Sequence, residues 1–468
     1  MRLFGNLTAL RRPFHGIERY LADRMLTAGG FSGASNSLES TIPAGWTYFA
    51  QFVNHDLSMK SVLGGRSRSS ALNLDSLYGD GPETDDGDSY YHKDNATYGE
   101  FRIGQGINPY EKDLLRDAKG VAIIPDARND ESVLVSQVHL GFQLFHNNLL
   151  KHVKKICPSF PVAQAFDFTR KMTRWHYQWL VVNRFLPLVA DDQVLGEVLP
   201  KAEQGTFRYY DLVQGPHVPI EFSLAAFRFG HSMARESYNL NDLKLDIPLF
   251  VKPSTGPEDD LRGGRQLPVN WSVQWDMFLQ VFPQAGQSPQ MAMPIDSQIS
   301  AVMGHVPVSG ASIRLPELTL QRGFDSGLPS GQEVALHLRY PLIDADCNYP
   351  LWLYILLESE KSKVGGLGHV GSRIVTEVVL GLLVADAESY VHSKPGFRWQ
   401  PMPEVMDGAA TFDLISVFRF AGLPITRTDV TIRSERLRDS LGGRRIAAAP
   451  PVGSFAEPPA KASVSRPG

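Results

Sequence analysis

Apolar residues recur at helical spacing over several stretches of the chain, and this recurrence predicts most of its structure. Between Glu131 and Lys155, Val135, Val138, Phe142, Phe145 and Leu149 fall on one face of a 3.6-residue helix. Trp46 to Leu57, Arg170 to Phe185 and Phe222 to Arg235 read as further helices, the second ending ahead of Pro187. Trp271 to Phe282, Ser330 to Leu338, Leu351 to Leu357 and His369 to Val384 follow. No stretch sustains the period-two alternation of a half-buried strand, and no internal repeat is present. The expected fold class is mainly α, a single large helical domain with little β structure.

Turn residues set the limits of that domain. Residues 1–40 read as an irregular lead-in before Ile42-Pro43-Ala44-Gly45, and 61–112 as polar loops around Gly79-Asp80-Gly81-Pro82. Residues 441–468 are mostly Ala, Pro, Gly and Ser, too poor in apolar surface to offset the entropy of ordering, and are expected to be a disordered tail. No linker interrupts 41–440, which is read as the single domain.

Composition narrows the function. With 468 residues, 43% of them hydrophobic, the chain can bury a large core. A net charge of -4 without any basic block argues against a nucleic-acid partner. Two distant cysteines, Cys157 and Cys347, are not a disulfide framework. The first dozen residues lack the apolar core of a signal peptide. The most apolar run, Ile374 to Ala385, is too short to span a bilayer and carries Glu377, so no transmembrane segment is expected. Location is left between the cytoplasm and export by a non-classical route, and oligomeric state has no sequence signal.

Four constellations could carry chemistry. In Gln51-Phe52-Val53-Asn54-His55-Asp56, Gln51 and His55 share a helix face suited to a small polar molecule. On spacing alone a structural role for His55 outweighs a functional one, by roughly two to one. In Asp126-Ala127-Arg128-Asn129-Asp130-Glu131, the carboxylates suit the start of the following helix, whereas Arg128 needs a negative partner or a substrate that develops charge. In Phe227-Arg228-Phe229-Gly230-His231, Gly230 costs about 1 kcal/mol of helix propensity, which close approach of a flat ligand would explain. Arg228, one turn before His231, could pair with an anionic group of that ligand. Ser69, Asn73 and Asp75, with Asp56, could wrap a hard cation or form an ordinary polar loop.

These segments, in this order, resemble the animal-type haem peroxidase family, the peroxidase–cyclooxygenase superfamily, and its bacterial members most. The resemblance runs from Ile42-Pro43-Ala44-Gly45-Trp46 through Leu74-Asp75-Ser76-Leu77-Tyr78-Gly79, Asp126 to Glu131, Trp175-His176-Tyr177-Gln178-Trp179 and Phe227 to Ser232. It continues through Gln321-Arg322-Gly323, Gly327-Leu328-Pro329-Ser330-Gly331-Gln332 and Gly368 to Leu383. It implies a helical fold around a haem b. His55 would be the distal histidine, Gln51 its cavity neighbour and Arg128 the distal arginine. His231 would be the proximal iron ligand, Arg228 a partner of the haem propionates, and Arg322 part of the haem-binding set. Asp56, Ser69, Ala71 through its carbonyl, Asn73 and Asp75 would hold Ca2+. The implied reaction reduces hydrogen peroxide and oxidises a small organic or halide co-substrate through a ferryl haem, with His55 as base then acid and Arg128 stabilising developing charge.

The sequence departs from the family pattern in places. Asn54 stands where members with two haem–protein esters have Asp, and an amide cannot form that ester. Glu131 matches the second ester position, and Ser132 follows where a sulfonium link would need Met. The haem is therefore expected to be non-covalent or held by a single ester. Thr319 stands where an Asn usually accepts a hydrogen bond from the proximal histidine, a contact that tunes the ligand. Two alternatives are a haem-binding sensor or scaffold, and a fatty-acid dioxygenase. Arg228 weighs against the latter, because it occupies the position of the required radical-forming Tyr.

Overall fold

A computed structural model describes residues 1–31, 33, 40–58, 71–84, 87–251, 256, 258–281, 288–308, 311–362, 365–406 and 411–440. The tail expected at 441–468 lies outside the described residues, as does Ser69. The architecture is mainly helical. Sheet structure among the described residues is confined to two-stranded antiparallel ladders: Ile103–Gln105 with Lys112–Leu114, Ser237–Tyr238 with Ile247–Pro248, and Val306–Val308 with Ala311–Ile313.

The central element is Val133–Ile156, started by the Ser132 side chain, which accepts from the Val135 N–H. Its apolar stripe is wide enough to pack against Gly45–Leu57, Val162–Leu180 and Leu414–Phe420. A second layer pairs His369–Ala385 with Asp192–Glu203, and Gly331–Leu338 with Leu351–Lys361. Gly331–Leu338 begins with a capping box between Ser330 and Glu333.

Several expectations change in detail. The helix read as ending before Pro187 continues past it. Val162–Leu180 widens into a π-turn at Val181–Phe185 before Leu186–Val189, and the wider turn accommodates a residue with no N–H to donate. Phe222 to Arg235 is not one helix. Ile220–Leu224 ends at Ala225 (φ -133, ψ -73), and Ala226–His231 forms a tighter 3-10 helix. Of the helix expected over Trp271 to Phe282, the described residues 271–281 form only a turn at Trp275–Met277, because N–H groups that would build a helix are bonded elsewhere. Gln274, Trp275 and Asp276 donate to the carbonyls of Leu240, Pro424 and Ile425. Within the irregular lead-in, Ile17–Met25 is a helix packed on Leu315–Asp325. Arg427–Ser440, also unforeseen, closes the described chain.

Candidate active site

The helix Gly45–Leu57 starts where its backbone meets another strand of chain: Gly45 N–H donates to the Phe278 carbonyl at 2.8 Å. A Cβ at Gly45 would lie 2.8 Å from that oxygen, so only glycine allows the approach. One face of the helix carries Phe49 and Phe52 into an aromatic cluster. Phe52 stacks on Phe142 with centroids 5.1 Å apart, and Phe49 meets Tyr177 and Phe185 edge-on. Burying that face turns Tyr48, Gln51, Asn54 and His55 toward a cavity.

His55 is buried, and its Nδ1 lies 2.9 Å from Asn129 Oδ1. Asn129 Oδ1 can only accept, so Nδ1 carries the proton and Nε2 keeps its lone pair. Nε2 lies 4.0 Å from Glu131 Oε2. Burial, then the charge of Arg128, pushes His55 down to about 4, leaving the ring neutral at neutral pH. Asn129 had no role assigned from sequence, and its place beside Arg128 was its only signal.

Arg128 has the negative partner its position requires. Asp126 accepts from its Nε at 3.0 Å and its Nη2 at 2.6 Å. Arg128 also donates to the His55 carbonyl and to Ser58 Oγ, each at 2.9 Å. Burial raises the Asp126 carboxyl, but the bonds from Arg128 outweigh it and hold Asp126 below the usual range. The helix-starting role expected across Asp126 to Glu131 is divided. Asp126 caps the short Ala127–Asp130 turn and Ser132 caps the long helix, while Asp130 binds Arg116 and the Gly264 N–H.

His231 ends the Ala226–His231 turn. With about three residues per turn, Arg228 and His231 lie on one side, and both line the cavity that His55 lines. His231 Nδ1 is 3.5 Å from Thr319 Oγ1, whose own hydrogen goes to the Leu315 carbonyl at 2.8 Å. The hydroxyl therefore reaches the imidazole only at the outer limit of a hydrogen bond. Trp352 stands edge-on to the His231 ring at 5.8 Å, and its indole N–H donates to the Arg228 carbonyl at 3.2 Å. Burial, then Arg228 and Arg322, pushes His231 down to about 3.

The cavity, about 340 Å³, is thus shared by Gln51, Asn54, His55, Arg128, Glu131, Arg228, His231 and Arg322. Thr319 is not in its wall but behind His231. Glu131 accepts from Gln51 Nε2 at 3.3 Å, and burial raises its carboxyl above the usual range. Three guanidinium groups line the cavity beside this one carboxylate. Burial, with Arg322 and Arg128 nearby, brings Arg228 down to about 10. Among the described residues no carboxylate comes within ion-pair distance of Arg228 or Arg322, so the cavity is chemically prepared for an anion. A Cβ at Gly230 would meet no atom within 4 Å, leaving open space beside His231 for a flat group.

On the other side of the His55 helix, Asp56 is buried among donors. Its oxygens accept from Leu74 N–H at 3.0 Å, Ser76 N–H at 3.3 Å and the Tyr177 hydroxyl at 3.3 Å. Leu74 has φ 61, a conformation a leucine rarely adopts and one the Asp56 contact helps hold. Asp75 N–H donates to Asn73 Oδ1, and Asn73 Nδ2 donates to Asp75 Oδ2. Burial, then the nearby Asp75, pushes Asp56 up to about 7. Asp56, Asn73 and Asp75 are therefore brought close together, with Ala71 in the same turn.

Comparison with known proteins agrees with this arrangement. A family model described as animal haem peroxidase matches residues 83–342, more than half of the chain. Heme peroxidase 2 of Caenorhabditis elegans is 26% identical over 218 residues, 43% of this chain and 28% of that protein. Chorion peroxidase of Drosophila melanogaster is 22% identical over 294 residues, 58% of this chain and 34% of that protein. The matches thus span about a third or less of these curated relatives. Peroxidase A from Dictyostelium discoideum has the same fold, with TM-score 0.59, 14% identity and 93% of each chain covered. A fatty acid alpha-dioxygenase of Arabidopsis thaliana superposes with TM-score 0.56 and 12% identity, over 93% of this chain and 77% of that one. Among the described residues no helix is long and apolar enough to cross a membrane.

Proposed function

The chain belongs to the animal haem peroxidase family, and from that premise we propose that it reduces hydrogen peroxide at a haem b held in this cavity and oxidises a small organic or halide co-substrate. The convergence of His55 and His231 on one cavity lined by three guanidinium groups carries this reading. The lining fits a haem: a neutral imidazole for the iron, open space at Gly230, and Arg228 with Arg322 for two propionates. Once bound, the haem supplies the iron chemistry that cleaves the peroxide bond and holds the oxidising equivalents.

The protein side of the mechanism follows from proton positions. His231, with Nδ1 toward Thr319, has its Nε2 left over and would hold the iron through it. His55 Nε2 takes a proton from hydrogen peroxide and returns it to the departing oxygen, while Asn129 keeps Nδ1 protonated and the ring in place. Arg128 acts chiefly by orientation. Clamped by Asp126, it braces the His55 carbonyl, and the free N–H of its Nη1 group is left for charge that develops in the cavity. Gln51 holds Glu131 at the rim. With an amide at Asn54, Glu131 is the one wall carboxyl among the described residues available for a haem ester. Ca2+ at Asp56, Ser69, Ala71, Asn73 and Asp75 would relieve the two crowded carboxylates and lock the far side of the His55 helix. Arg228 offers no phenol for a dioxygenase radical, which favours the peroxidase reading over that alternative.

The test is the ultraviolet–visible spectrum of the haem-supplemented protein before and after peroxide. A Soret band that shifts with peroxide and returns when a phenol is added is expected. A protein that stays colourless after supplementation, or a Soret band inert to peroxide, would overturn the proposal.

A further inference from the structure

The side of the cavity behind His231 contains a tryptophan that the proposed reaction does not use. Trp352 is only 2% exposed, edge-on to the His231 ring at 5.8 Å, and hydrogen-bonded through its indole N–H to the Arg228 carbonyl. It stands at the start of the helix Leu351–Lys361, directly after a half-buried loop. In that loop Tyr349 precedes Trp352 by three residues, so their Cα atoms are at most about 11 Å apart. The Tyr349 hydroxyl donates to Asp344 Oδ2 at 3.1 Å, and Cys347 lies in the same loop between them in sequence. The neighbouring Cys347, then the Asp346 N–H that donates to Asp344 Oδ1 at 2.9 Å, hold Asp344 below the usual carboxylate range, so it is ionised.

We propose that Trp352 and Tyr349 form an electron relay from the proximal histidine to the surface, where Tyr349 oxidises phenols carried on macromolecules too large for the cavity. The proposal rests on the haem peroxidase reading, which supplies the oxidant. Trp352 gives one electron to the peroxide-oxidised haem and is refilled by one electron from Tyr349. The Tyr349 O–H bond breaks as that electron leaves, and its proton passes to the Asp344 carboxylate. An external phenol then returns one electron to the Tyr349 oxygen, Asp344 returns the proton, and the phenol releases its own proton to solvent. The chemistry of the three groups fits these steps. Indole and phenol are the most readily oxidised aromatic side chains. A phenol also needs a base within hydrogen-bond reach to lose an electron at neutral pH, and Asp344 is that base.

The test treats the haem-loaded protein with peroxide and a nitroso spin trap, then maps adducts by peptide mass spectrometry. An adduct on Tyr349 or its neighbour Cys347 is expected in the wild type, and its loss in Trp352→Phe, which still contains both targets. Tyr349→Phe is expected to oxidise guaiacol at the wild-type rate but phenol-bearing dextran about tenfold or more slowly. This second variant keeps its ring and decides the question even if Trp352→Phe folds poorly. An adduct that persists in Trp352→Phe, adducts confined to residues of the cavity such as Tyr48, or equal dextran rates in Tyr349→Phe and wild type would overturn the relay. Those outcomes require a wild type that turns over guaiacol. A wild type that leaves peroxide unconsumed would instead overturn the peroxidase reading from which the relay draws its oxidant.

Discussion

If His231 holds the haem iron as proposed, the 3.5 Å between Thr319 Oγ1 and His231 Nδ1 sets how much electron density its imidazole passes to the metal. An acceptor at full hydrogen-bond distance gives a histidine ligand partial imidazolate character, whereas a distant neutral hydroxyl gives little. Thr319→Val should therefore move the haem reduction potential only slightly upward, and Thr319→Asn, which reaches further, should lower it. Redox titration of the haem-loaded variants checks both, and a large upward shift in Thr319→Val would mean the hydroxyl is a stronger partner than its distance implies. On the other side, His55→Ala should keep the Soret band and slow the reaction with peroxide by roughly 10²–10⁴-fold, the usual worth of a positioned base. His55 is pushed down to about 4, so it stays a competent base above that pH and is protonated below it. The acid limb of the peroxide reaction in stopped-flow should accordingly lie near pH 4, well below that of an ordinary histidine. Wild-type rates in His55→Ala would remove it from the mechanism.

At the scale of elements, the site depends on how the Gly45–Leu57 helix is seated. Phe52 is fully buried against Phe142, and its truncation leaves a cavity directly beneath His55. Phe52→Ala should cost about 3–5 kcal/mol, seen as a lowered melting temperature, and should weaken peroxide reactivity beyond any loss of haem. A variant as stable as wild type would show that the aromatic cluster does not hold this helix. The helices legible in the sequence were those whose apolar stripes face the core directly, such as Val133–Ile156 and His369–Ala385. Those misread had their backbone bonds decided elsewhere. Trp271 to Phe282 is apolar, but its amides bond to segments remote in sequence, and no local pattern announces that. Ile17–Met25 does have helical spacing in Ile17, Leu21, Ala22 and Met25, but Pro316, Gly323, Gly327 and Pro329 mask the helical character of its partner Leu315–Asp325, which leaves the stripe without a legible surface to face. In the site, the histidines and arginines were legible as motifs. Asn129 and Trp352 were not, because each matters only through a contact across the fold.

For the whole molecule, the same burial that keeps His55 and His231 neutral makes the protein vulnerable to acid. His55, His139, His146, His176 and His231 are all pushed down by burial, to about 4, 3, 3, 4 and 3. Neither ring nitrogen of His139 has a hydrogen-bond partner, and the pull of Asp126 on its proton is outweighed by burial. In the unfolded chain each takes up a proton near pH 6.5, whereas in the folded protein none does until far lower. Their contribution to stability is therefore fully present above about pH 6.5 and is lost as the pH falls toward 4 and below. All five groups act in the same direction, so their losses reinforce one another as the pH falls. The apo-protein should accordingly melt at a nearly constant temperature above pH 7 and at steeply lower temperatures between pH 6.5 and 4. Haem should leave that slope unchanged between pH 7 and 4, because the folded protein keeps His231 unprotonated there with or without haem. The gap in melting temperature between haem-loaded and apo-protein should therefore stay constant over that range, and haem affinity should fall only near pH 3, where His231 of the folded apo-protein takes up a proton that competes with the iron. A gap that closes between pH 7 and 5 would mean that the group holding the haem titrates as an ordinary imidazole, and with it the proximal assignment of His231 would fall.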